Sequence, residues 1–143
     1  MFQKQLSVFI ENKRGKLASI TKILGDNGID IGALSIADTK DYGILRVIVD
    51  KPEQAEKILK DAGYAVSITD VIAISVDDAP GGLAGALHIF EEKGINIEYM
   101  YHYARKDRDK ASMIIRVEGT DEALAKIRDT SINLLSKVEL NGG

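Results

Sequence analysis

Apolar and polar residues alternate along this chain with two different periods, and the switches between them mark its elements. Leu6, Val8 and Ile10 alternate with Ser7 and Glu11, the period of a strand; Phe9 blurs the pattern, as in a strand covered on both faces. Asn12-Lys13-Arg14-Gly15 reads as a turn. Leu17, Ile20 and Leu24 then share one helical stripe, which predicts a helix over 15–27. Asn27-Gly28 stops it, because glycine accepts the left-handed conformation without a Cβ penalty. A strand follows over 29–37, a hairpin loop over 38–43, and a β-branched, almost wholly apolar strand over 44–49. Pro52 opens a second helix whose stripe is Ala55, Ile58, Leu59 and Ala62, and Gly63 ends it. Tyr64, Val66 and Ile68 alternate in a fourth strand, completing a β-α-β-β-α-β order.

The pattern then returns. Leu17, Ile20, Ile23, Leu24, Gly28, Ile29, Asp30 and Ile31 are matched by Leu83, Ala86, Ile89, Phe90, Gly94, Ile95, Asn96 and Ile97, always 66 positions later. After one hairpin the match resumes at an offset of 68, with Val49, Ala55 and Leu59 facing Val117, Ala123 and Ile127. In the second copy strands are predicted around Ile72–Val76 and over 95–103, 111–118 and 132–140, with helices over 81–93 and 121–129. The expected fold class is α+β: two ferredoxin-like βαββαβ domains in tandem, residues 1–70 and 71–143, each an antiparallel sheet with helices on one face. A unit of this size buries only about 60% of its unfolded surface, so packing against another unit or another chain is expected. Alternation from Tyr64 to Val76, interrupted only by Asp70, leaves no room for a flexible linker.

Composition removes several classes of function. The chain has 143 residues, 45% of them hydrophobic and 29% charged, as in an ordinary soluble globule. Its net charge of −3 without a basic block argues against nucleic acid as a partner. It has no cysteine, which excludes disulfides, iron–sulfur clusters and thiolate zinc sites. Neither a signal peptide nor a membrane-length apolar run is found, so a cytoplasmic protein with no membrane partner is expected. His88 and His102 have no neighbours at metal-ligand spacing, so neither a metal nor another cofactor is expected. Lys106-Asp107-Arg108-Asp109-Lys110 reads as a solvated hairpin.

The ferredoxin-like fold serves many functions, so residues must decide. RNA recognition on this fold needs aromatics on the third strand, and neither Ile44–Val49 nor Met113–Val117 carries one. Acylphosphatase-type hydrolysis needs an anion-binding loop with a catalytic Arg and Asn. Arg14 and Asn12 lie near that loop in the first copy, but the second has Pro80 and Asp78 there. No Ser/His/Asp or paired-carboxylate arrangement suggests catalysis.

The turn after each copy's first strand carries more. In the second copy it reads Asp78-Ala79-Pro80-Gly81-Gly82-Leu83, followed later by Gly94-Ile95-Asn96-Ile97. Together they resemble the ACT domain, an amino-acid-binding regulatory module, and the resemblance spans essentially the whole chain as two tandem copies. It implies a turn opening onto a helix N-terminus, where free N–H groups and the helix dipole favour a carboxylate. Asp78 would accept hydrogen bonds from an ammonium group, and Asn96 would add a donor and an acceptor. The plainer alternative is a good turn, with Asp capping the helix and Gly relieving strain. The first copy departs from the pattern: Asn12 replaces the Asp, Arg14 the Pro and Lys16 the second Gly, around Gly15 and Leu17. Unequal sites are therefore expected. Tyr99, Tyr101 and Tyr103, on one face of a strand, would line a pocket or an interface, or cover their own sheet.

The resemblance implies a non-catalytic regulatory protein that binds an amino acid, forms a homo-oligomer such as a dimer, and acts on a separate enzyme through linkage. A scaffold built from degenerate ACT domains is the alternative.

Overall fold

The computed structural model describes residues 2–11, 14–38, 41–107 and 109–136. Its elements are β1 (Gln3–Glu11), α1 (Lys16–Asp26), β2 (Ile31–Asp38), β3 (Tyr42–Val49), α2 (Pro52–Asp61), β4 (Ala65–Asp77), α3 (Gly82–Glu92), β5 (Ile97–Asp107), β6 (Lys110–Val117), α4 (Thr120–Ile127) and β7 (Asn133–Leu134). They form two compact units. One is Lys4–Thr69; the other runs from Asp70 onward and also takes in Phe2 and Gln3.

In the first unit the strand order is β2-β3-β1-β4. Antiparallel pairing sets Leu6 opposite Val47 and Val8 opposite Leu45. Opposed residues share a face, so these four line one side of the sheet. There they join Ile20 and Leu24 of α1 and Ala55 and Leu59 of α2 in one buried cluster. Both helices therefore cover the same face, which is the ferredoxin-like arrangement.

The second unit repeats the plan. β4 pairs with β6, β6 with β5, and β7 lies on β4 as well. Ile72, Ile74 and Val76 of β4 pack with Phe90, Leu124 and Ile127 of the two helices. Phe2 packs against this cluster, and Gln3 Nε2 donates to the Leu135 carbonyl at 3.3 Å.

The repeat is visible in the backbone. α1 and α3 each begin after a left-handed glycine with nearly the same dihedrals, φ 86 and ψ −8 at Gly15, φ 86 and ψ −9 at Gly81. Each ends on another, Gly28 and Gly94, both at φ 69. At these ends Ile29 donates back to the Leu24 carbonyl at 3.0 Å, and Ile95 to that of Phe90 at 2.9 Å. That closure explains why β2 and β5 begin two residues later than expected: the amides of Ile29 and Ile95 are already committed.

The last strand differs more. Among the described residues, the pairing expected over 132–140 is found at Asn133 and Leu134, and the Leu135 amide extends it by donating to the Ala73 carbonyl at 2.8 Å. The Ile132 amide is held by Thr130 Oγ1 at 3.3 Å, and the Leu135 carbonyl accepts from the Gln3 side chain. Residues 137–140 lie outside the described residues.

Gly28→Ala and Gly94→Ala should each lower stability by about 1–2 kcal/mol, the cost of placing a Cβ in the left-handed region. Urea titration checks this, and clearly unequal losses would mean that the two helix ends are not equivalent.

Candidate functional site

β4 ends at Asp77, and five residues later α3 begins at Gly82. Between them Asp78, Ala79 and Pro80 are exposed, and the turn is tied down by its backbone. The Asp78 amide donates to the Asp109 carbonyl at 2.6 Å, Gly82 to Ala79 at 3.0 Å and Gly85 to Gly81 at 3.0 Å. Among the described residues no side chain caps α3; the left-handed Gly81 occupies the cap position. Asp78 is therefore not a helix cap, and the plainer reading of the turn loses its main role for that residue. Among the described residues the amides of Leu83 and Ala84 have no carbonyl partner, as expected in a first helical turn.

Gly82 has a steric reason to be glycine. A Cβ there would overlap the Asp77 carbonyl oxygen and lie 3.0 Å from the carbonyl carbon. The end of β4 thus rests directly on the first turn of α3. In the first copy the same place is taken by Lys16, whose Cβ does not permit that approach.

Behind the turn is a cleft of about 360 Å³. Gly81 and, from α3, Gly82, Gly85, Ala86 and Ile89 form one wall, Ser75, Val76 and Asp77 of β4 another, and Ser131, Ile132 and Asn133 close the side leading into β7. Lys110 stands at the cleft, its Nζ paired with Asp77 Oδ1. The cleft thus offers one fixed charge of each sign, two serine hydroxyls, a side-chain amide and an apolar floor.

The expected site residues fall into three groups. Gly81 and Gly82 line the cleft; Asp78, Ala79, Pro80 and Leu83 belong to its turn without lining it. Asn96 is elsewhere. It follows the C-terminus of α3, about 16 Å along the 11-residue helix from the turn, and lines a separate hollow of about 380 Å³ with Gly94, Glu118, Glu122 and Lys126. In the first unit Arg14 and Gly15 are exposed, Lys16 and Leu17 half-buried, and Asn12 lies outside the described residues.

Sequence reasoning passed over Ser75, Asp77, Lys110, Ser131 and Asn133. Lys110 sat in a stretch read as solvated loop, and Ser131 and Asn133 belong to no motif. Tyr101 and Tyr103 are buried and Tyr99 half-buried, stacked on Tyr101 with ring centroids 6.4 Å apart, so the tyrosines are not an exposed stripe. His88 is exposed and bonded to Glu92 Oε1 at 3.0 Å. Among the described residues no cluster of three metal-binding side chains occurs, and no helix is long and apolar enough to cross a membrane.

Gly82→Ala should destabilise the protein by about 1–3 kcal/mol by forcing Asp77 away from α3. Gly85→Ala, one turn on and facing open space, should instead add roughly 0.5–1 kcal/mol. Chemical denaturation of the two variants reads the difference in sign.

A family model describing an ACT domain pair matches residues 1–141. The crystal structure of protein BT0572 from Bacteroides thetaiotaomicron is similar at 41% sequence identity and a TM-score of 0.91, over 98% of this chain and 96% of that one. The regulatory subunit of aspartate kinase from Thermus thermophilus, crystallised in a ligand-free form, shares the fold at 19% identity and a TM-score of 0.65, over 87% and 90% of the two chains. A search among curated proteins gives no match. Two ferredoxin-like units, a glycine turn at the head of each first helix and a match over nearly the full length agree: the chain belongs to the ACT domain pair family.

Proposed function

We propose that this chain is a regulatory protein without catalytic activity of its own, which binds an α-amino acid at the second unit's turn and cleft. One observation carries the reading. The cleft puts the Asp77–Lys110 pair beside the open N-terminus of α3, so complementary groups for an ammonium and a carboxylate lie within one small space. Inside the cleft Asp77 takes the ammonium and Lys110 the carboxylate; from the turn and the head of α3, at its edge, Asp78 supports the first and the amides of Leu83 and Ala84 the second. A volume of about 360 Å³ holds an amino acid and a few waters.

Asn96 contributes to the same ligand only when another copy of the chain supplies it, because its own helix holds it away from its own turn. A homodimer gives that residue its role. Leu34 and Ile36, 47% and 41% exposed on the edge strand β2, are the apolar surface such an assembly covers. Ligand binding then favours one arrangement of copies by its difference in affinity, and a separate enzyme in the cytoplasm reads the arrangement. The neighbour in fold named as a regulatory subunit of aspartate kinase supports a regulatory reading.

A thermal-shift screen of the twenty amino acids tests this. A true ligand at 100 times its dissociation constant should add about 2.7 kcal/mol of stability. Asp77→Ala and Asp78→Ala should each weaken that response. No shift with any amino acid would favour a scaffold that senses nothing.

A further inference from the structure

We propose that the amino acid occupies a space that the first unit fills with its own side chains, so that each chain carries one site, in the second unit, for an amino acid with a small, uncharged polar side chain. The proposal rests on the amino-acid reading above and adds the location, number and class of ligand.

The two copies can be compared wall by wall, because α1 and α3 start from glycines of the same conformation and their first turns close alike. Ser19 donates to the Gly15 carbonyl at 2.9 Å as Gly85 does to Gly81. Where the cleft has Gly82, Gly85 and Ala86, the first copy has Lys16, Ser19 and Ile20, each 66 positions earlier. Where the cleft has Ile132, the first copy has Tyr64, 68 positions earlier. Ile20 is fully buried, and the Tyr64 ring packs against the first core. The Tyr64 hydroxyl lies 3.2 Å from Ser19 Oγ, a strut between α1 and the start of β4. In the second unit both ends of that strut have lost their hydroxyls, and every one of the four side chains is smaller. What remains is the cleft.

The filled copy indicates what suits the open one. Its occupants are an apolar body over the helix and a hydroxyl bonded to a hydroxyl. The open cleft keeps an apolar floor in Ala86, Ile89 and Ile132, with Ser75, Ser131 and Asn133 around it. A hydroxyl or carboxamide on the ligand pairs with these groups. A long apolar side chain would desolvate them without replacement, and a charged one would place a third charge beside the Asp77–Lys110 pair. Serine, threonine and asparagine are the matching class.

Isothermal titration of the full chain with L-serine, L-threonine, L-asparagine, L-leucine, L-phenylalanine and L-glutamate tests this. One of the first three should bind at one molecule per chain, at least tenfold more tightly than the rest. Two closing variants accompany it. Gly85→Ser with Ile132→Tyr rebuilds the first unit's strut, and Gly85→Leu plugs the cleft from a helical position with open space around it. Each should weaken binding at least tenfold with the unliganded melting temperature retained. Two molecules per chain, or binding unchanged in Gly85→Leu, would put the site elsewhere and overturn the inference while leaving amino-acid binding standing. Tighter binding of leucine, phenylalanine or glutamate would overturn the ligand class. Binding of no amino acid by the unaltered chain would bring down the functional reading itself.

Discussion

Each unit of this protein hangs on a left-handed backbone at both ends of its first helix. Gly15 and Gly81 start α1 and α3, and Gly28 and Gly94 finish them, at φ angles that side chains with a Cβ adopt only at a cost. Because both ends are pinned, the helix length is set, and with it the point where the next strand leaves and the register in which it pairs. The apolar stripe then meets the inward faces of the central strands without adjustment. The core follows from the turns as much as from the hydrophobic residues that fill it.

The same constraint separates the copies. Where a second glycine follows the left-handed one, strand and helix approach until the Asp77 carbonyl rests where the Gly82 Cβ would be. Where lysine follows, that approach is closed. A single missing methyl group therefore decides how near the end of a strand lies to the free amides of a helix. Gly85 and Ala86, along the same face, carry the opening inward to the polar groups of β4 and the residues leading into β7.

Much of this was legible in the residues. Period-two and helical patterns located the elements of both copies to within a few residues, the last strand excepted, and the equal offsets announced the duplication. Asp78-Ala79-Pro80-Gly81-Gly82 marked the turn that the cleft lies behind. It did not mark the cleft's other walls. Asp77 and Lys110 meet across a hairpin register, and Ser131 and Asn133 reach the cleft through the return of the chain after α4; neither relation is local in sequence. Asn96 shows the converse relation. It is near the turn in motif and far from it in space, because a helix lies between them. The signal for the cleft was present as a difference between copies, Tyr64 against Ile132 and Ile20 against Ala86, which reads as drift until the two positions are seen to face one space.

The chain's first residues have a consequence for the order of its assembly. Phe2 packs in the second core, and Gln3 is tied to Leu135, 132 positions away. The second unit therefore is not completed by residues from Asp70 onward alone; it waits for the segment after α4 to return to Phe2 and Gln3. Contacts this distant in sequence close late, since the entropy of a long loop must be overcome before they form. The unit that bears the cleft is therefore finished only after Leu135 has met Gln3, later than the first unit, whose residues all lie within Lys4–Thr69.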